Sequence, residues 1–148
     1  MEVRNRKKRI NIYTKFVGCF TKNGQKIRAY KSVVRSIKDA CQKANFKTIF
    51  GMRVIVAKLA TFVDVRRIKN RAGSFPVPVP VGTNRRNYLV AKQISSVIYS
   101  DKTKISFEKK LNQELINILL SKDSKVIENR NKMLKEAVIY KSNQHYRW

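Results

Sequence analysis

TFVDVRRIKNRAGSFPVPVPVGTNRRN, residues 61–87, holds two alternating runs, a basic glycine-containing connector between them, and a double arginine where a helix should begin. In Val63-Asp64-Val65-Arg66-Arg67 apolar and polar residues alternate. That is the period-two mark of a half-buried strand, with Val63 and Val65 on one face. Phe75-Pro76-Val77-Pro78-Val79-Pro80-Val81 alternates as strictly, so Phe75, Val77, Val79 and Val81 line one face. Pro76, Pro78 and Pro80 have no backbone N–H, and residues i and i+2 of a strand present their N–H groups to the same edge. One edge is therefore stripped of donors, while Val77, Val79 and Val81 keep theirs on the other, where the Val63–Val65 strand can pair. The stretch predicts a two-stranded hairpin over residues 61–81 that cannot add a third strand. Two strands alone are marginal in water, so the Val/Phe face should rest on helices. The tip, Arg66, Arg67, Lys69, Asn70 and Arg71, is cationic and free of acids, and it should project.

Upstream, Tyr13, Phe16, Val17 and Phe20 fall at helical spacing, and Asn23 or Gly24 can take the left-handed conformation that ends such a helix. A second helix carries Ile27, Tyr30, Val33, Val34, Ile37, Cys41 and Ala44 along one stripe. Asn45 is then placed to cap a third, with Phe46, Ile49, Phe50 and Val54 as its apolar positions. All of these stripes are expected to be core. Downstream, Gly82-Thr83-Asn84 supplies a turn and cap, Arg85 and Arg86 enter the first turn of a helix running to about Ser100, and a fifth helix buries Phe107, Leu111, Leu115, Ile118 and Leu119. Residues 121–124 break the chain before a last helix with Val126, Arg130, Met133, Ala137 and Tyr140. Cations in a first turn oppose the helix dipole. An anion outside the protein would explain Arg85 and Arg86, because helix N-terminal N–H groups also favour phosphate.

The chain has 148 residues, which predicts one domain, and its 43% hydrophobic content is that of a folded protein. Its charge is not ordinary. Thirty-four Lys and Arg against nine Asp and Glu leave +25 at pH 7, and self-repulsion of that size opposes compactness unless a polyanion neutralises it. A nucleic acid is the economical partner. Membrane binding usually requires an amphipathic helix with an exposed apolar face, and no apolar run reaches spanning length, so no membrane is expected. Cys19 and Cys41 read as small hydrophobes inside helices rather than a bridge or metal pair, which implies a reducing compartment. The start is basic, with Arg4, Arg6, Lys7, Lys8 and Arg9, but lacks the features of a signal or transit peptide; the expectation is a protein that works where it is made or has lost its leader. At the other end, residues 144–148 mix His145, Tyr146 and Trp148 with Arg147. Rings that stack on bases beside a cation that meets phosphate suit single-stranded or irregular RNA. The same cluster could instead dock on the protein's own core.

With these pieces assembled, the chain resembles the universal seventh protein of the small ribosomal subunit. Val63-Asp64-Val65-Arg66 matches that family's V-E-V-K/R strand, Val77-Pro78-Val79 its V-P-V, Arg85-Arg86-Asn87 the R-R-x that opens the next helix, and His145-Tyr146-Arg147-Trp148 its H-Y-R-W ending. Lys15-Phe16-Val17 fits its K-F-V, and the likeness covers nearly the whole chain. The resemblance implies a mainly α fold: a single-domain bundle of about six helices with one protruding β-hairpin between the third and fourth. It further implies a binder of the 3′ major domain of small-subunit rRNA that organises the subunit head among neighbouring head proteins, with the hairpin near exit-site tRNA and mRNA. Contact with rRNA is implied for Arg66, Arg67, Arg85, Arg86, Tyr146, Arg147 and Trp148, joined by the basic arm Arg4, Arg6, Lys7, Lys8 and Arg9. Lys69, Asn70 and Arg71 form the tip near tRNA and mRNA. Ile68-Lys69-Asn70-Arg71-Ala72 replaces the family's Arg-Arg-Val-Gly-Gly, so one glycine is lost at the turn. The Lys, Asn and Ile enrichment of the middle helices points to an organelle-encoded copy, with the mitochondrial matrix favoured over plastid or bacterial cytoplasm.

Catalysis is not expected, nor a cofactor: His145 is the only histidine, Asp64 is the only acid in the central stretch, and there are no paired carboxylates, Cys/His cluster or Gly-rich phosphate loop. The alternative is an architectural DNA-binding protein, since a basic ribbon can also enter a DNA groove.

Overall fold

The structure, a computed structural model, describes residues 12–71 and 73–147. Helix α1 spans Ile12–Phe20 and buries Phe16, Val17 and Phe20. Asn23 and Gly24, at φ 49° and 73°, then turn the chain through the left-handed region, as the sequence predicts. Helix α2 (Lys26–Lys43) buries Val33, Ile37, Ala40 and Cys41. Its end is closed by a Schellman motif: Asn45 at φ 58° donates to the Gln42 carbonyl and Phe46 to the Cys41 carbonyl. Asn45 therefore terminates α2 and does not cap the next helix, since α3 (Thr48–Leu59) begins after Lys47.

The core faces of α2 and α3 are narrower than their apolar stripes. Ile27 and Tyr30 are exposed on α2, and Ile49 and Phe50 on α3, whose buried face is Gly51, Met52, Ile55 and Leu59. Only part of each first turn reaches a neighbour: Gly51 is buried, while the flanking apolar residues stay exposed among the described residues. Where the two helices do meet they approach closely: a Cβ on Gly51 would lie 2.5 Å from Cys41 Sγ.

Helix α4 (Thr83–Ser100) places Leu89, Val90, Ala91, Ile94, Val97 and Ile98 against the core, packing on α1. Helix α5 (Phe107–Leu119) buries Leu111, Leu115, Ile118 and Leu119 and lies along α2. Full burial of each such side chain contributes about 1.5–3 kcal/mol. Lys58 from α3 donates to the Ile118 and Leu119 carbonyls at 2.9 and 2.7 Å and to Ser121 Oγ at 2.7 Å, setting a cation on the negative end of α5. Ser124 accepts from Val126 N–H as the N-cap of α6 (Lys125–Ile139) and donates to Glu114. A 3-10 segment, Tyr140–Arg147, follows.

Between α3 and α4 stands the hairpin, β1 (Val63–Asn70) antiparallel to β2 (Gly73–Pro80), with Val63 opposite Pro80 and Asn70 opposite Gly73. Six α-helices and one hairpin among the described residues match the expected fold. The register corrects one detail. For Val77 and Val79 to direct their N–H groups at β1 they must pair with Arg66 and Asp64, and cross-strand partners share a face. Val63 and Val65 consequently lie with Pro80 and Pro78 on the opposite face from Val77 and Val79. The ribbon has no single Val/Phe face. Each side is partly apolar, and Val77 and its neighbour Pro78 are both buried. The body accommodates this by flanking the ribbon, with α6 against β1 and the 3-10 segment against β2. Val81 N–H donates to Phe62 O at 2.9 Å, extending the ladder one pair further.

Candidate nucleic-acid interface

Asp64 organises the base of the hairpin. It sits on β1 opposite Val79, with only 7% of its surface exposed. Arg85 Nη2 donates to its Oδ2 at 3.2 Å, and Arg66 Nε lies 3.7 Å from the same oxygen. Two guanidinium groups thus share one carboxylate, and about half of the Arg66 side chain remains exposed. The α4 N-terminus has Gly82 as its cap with no side-chain acceptor and no acid in its first turn. Asp64 supplies that missing negative charge from the neighbouring strand. An internal anion therefore accounts for part of what the sequence assigned wholly to an external one.

Arg86 is held differently. Its guanidinium carbon lies 4.0 Å from the centroid of the Phe62 ring, a distance at which a cation is attracted to the π face. Its Nε is buried without a hydrogen-bond partner among the described residues. Arg85 also approaches Tyr88, at 5.1 Å from the ring centroid.

Arg67, Lys69 and Arg71 are exposed toward the tip. On the other flank the 3-10 segment is tied to β2 by Asn143 Nδ2, which donates to Pro76 O at 3.0 Å. That carbonyl points to the proline edge of β2, where acceptors persist although donors are gone. His145 Nδ1 lies 2.8 Å from Ser142 O, an arrangement that keeps the proton on Nδ1. Arg66 and Arg67, Arg85, and the segment carrying Tyr146 and Arg147 are therefore gathered around one hairpin. The side chains of Asn70, Tyr146 and Arg147 lie outside the described residues, as do Trp148 and the arm residues Arg4, Arg6, Lys7, Lys8 and Arg9.

The sequence reading missed Phe62, Asn143 and the role of Asp64. For Asp64 the signal was present, as the one acid among residues 61–87. For Phe62 and Asn143 only the folded contacts reveal the role. No cluster of three or more potential metal ligands occurs among the described residues, and no helix among them is long and apolar enough to cross a membrane.

Comparison with known proteins gives consistent matches. A family model described as Ribosomal protein S7p/S5e matches residues 2–141. The chain is 26% identical over 140 residues to small ribosomal subunit protein uS7m of Reclinomonas americana, covering 93% of this chain and 86% of that one. It is 26% identical over 137 residues to small ribosomal subunit protein uS7 of Wigglesworthia glossinidia brevipalpis, with the same coverage. To uS7 of Blochmanniella pennsylvanica it is 24% identical over 138 residues, covering 93% and 87%.

Proposed function

The chain belongs to the S7p/S5e family of ribosomal proteins, a non-enzymatic constituent of the small subunit that binds rRNA, and on that premise we propose that it docks on the 3′ major domain and organises the subunit head. In this reading Arg66, Arg67, Arg85 and Arg86 meet rRNA phosphates, with the arm residues 4–9 and the ending Tyr146, Arg147 and Trp148 adding phosphate and stacking contacts. Lys69, Asn70 and Arg71 lie toward exit-site tRNA and mRNA, and head proteins cover part of the remaining surface. The mitochondrial matrix is the proposed compartment. A mitochondrial relative stands among the matches, as do bacterial ones. Nothing observed favours the DNA-binding alternative.

The observation that carries the site is the convergence of Arg66 and Arg85 on Asp64, which fixes two cations from separate elements at one place. Phosphate contacts of this kind release counterions, so affinity falls steeply with salt. Arg85→Ala combined with Arg86→Ala should weaken binding to a 3′ major domain transcript and flatten its salt dependence by up to about two units of log–log slope. An unchanged slope removes those two residues from the interface. For the whole reading, a mitochondrial extract is sedimented after a high-salt wash; the protein should travel with small subunits, and its release to the top of the gradient would refute the assignment.

A further inference from the structure

Between α1, the outer face of α3 and the start of α4 lies a cleft of about 630 Å³, within the size range of small-ligand sites. Its wall is apolar, from Ile49, Val56 and Ala57 on α3, and its rim carries Phe62, Arg53 and Arg86. Ile49 and Phe62 are 70% and 68% exposed, large values for side chains of their kind. Among the described residues this is unfinished. Arg86 lies over the Phe62 ring, yet its buried Nε has no acceptor among the described residues, and a buried donor left unpaired is costly.

The geometry points to a nucleotide pocket: an unstacked base of the bound RNA enters this cleft beside Phe62, and its phosphate meets Arg53 and Arg86. An apolar wall accepts a base face, an aromatic at the rim stacks on it, and the arginines supply the counter-charge for its phosphate. Charge decides among occupants. The chain's own residues 4–9 bring Arg4, Arg6, Lys7, Lys8 and Arg9 and would meet like charge at the rim. An apolar helix from a partner would leave the charges of Arg53 and Arg86 at the rim unanswered. The inference rests on the rRNA-binding reading and adds to it a specific base-holding site on the α3 side of the arginine pair.

The test uses the full chain and a 3′ major domain transcript in filter-binding titrations across a salt series, with thermal melts alongside. Phe62→Ala should weaken binding about tenfold, within the range for loss of one base stack, while leaving the salt slope unchanged because no phosphate contact is removed. Phe62→Trp should restore affinity. Ala57→Trp, which fills the cleft from an exposed helix position, should weaken binding by a similar factor without lowering the melting temperature. Ultraviolet cross-linking of the wild-type complex should map to the peptide containing Phe62. Wild-type affinity in both Phe62→Ala and Ala57→Trp would overturn the proposal. So would a lower melting temperature in Phe62→Ala with affinity intact, since Phe62 would then serve only to hold Arg86 within the protein. If the wild-type protein binds the transcript no better than duplex DNA, the rRNA reading itself fails. If it prefers the transcript and the variants match it, only the pocket fails.

Discussion

At the scale of single residues, Asp64 separates two ideas of how a cationic surface works. If charge alone governed RNA binding, Asp64→Asn would strengthen it, because the chain becomes more positive by one. The structure argues the opposite sign. Asp64 holds Arg66 and Arg85 in place from 3.7 and 3.2 Å, and releasing two long side chains adds an ordering cost to every binding event. That cost is about 1 kcal/mol, or roughly fivefold in affinity. Asp64→Asn is therefore expected to bind a 3′ major domain transcript about fivefold more weakly despite its extra positive charge. Tighter binding in a titration at fixed salt would show that the carboxylate only repels phosphate.

At the scale of elements, the end of α2 offers a clean comparison. Because Asn45 occupies the left-handed position of a Schellman motif, Asn45→Gly should melt within a degree or two of the wild type. Asn45→Ala should cost about 1 kcal/mol, near 3 °C for a chain of this size. Equal melting temperatures for the two variants would show that a β-carbon costs nothing at position 45, against the left-handed backbone that the motif requires. The sequence placed Asn45 at the right junction and on the wrong side of it, since asparagine serves both as an N-terminal cap and as a left-handed residue. The same limit appears elsewhere. Periodicity located all six helices, and the three prolines fixed which edge of β2 pairs, but neither shows how far a helix overlaps its neighbours. Ile27, Tyr30, Ile49 and Phe50 thus read as core and are exposed. Nor does alternation within a strand reveal the parity of pairing across it, which set Val63 and Val65 against the proline side. The arginines of the site were legible from spacing. Their grip on Asp64 and Phe62 was not, because Asp64 and Arg85 stand 21 residues apart and meet only through the turn into α4.

For the whole molecule, the +25 charge makes folding and function respond to salt in opposite directions. Screening shortens the reach of like-charge repulsion from about 10 Å at 0.1 M to about 3 Å at 1 M. The isolated protein should therefore gain on the order of 1 kcal/mol, about 3 °C in melting temperature, between 0.05 and 0.5 M NaCl. RNA affinity should fall over the same range. A melting temperature that drops with salt would mean that attractive ion pairs, rather than surplus cations, dominate the native state.

The proline side of β2 has a bearing on life before assembly. Newly made copies meet one another before each finds its RNA, and an open strand border is the usual template on which identical chains zip together. Here, from Pro76 to Pro80, that border accepts hydrogen bonds and offers none, and Asn143 already occupies one of its carbonyls. A second polypeptide laid alongside would find half of its own backbone unanswered. Ribose hydroxyls and side-chain amides, which can give a proton without asking for one back from the same strand, suffer no such mismatch. The three prolines thus act as a filter on company, turning away sister molecules.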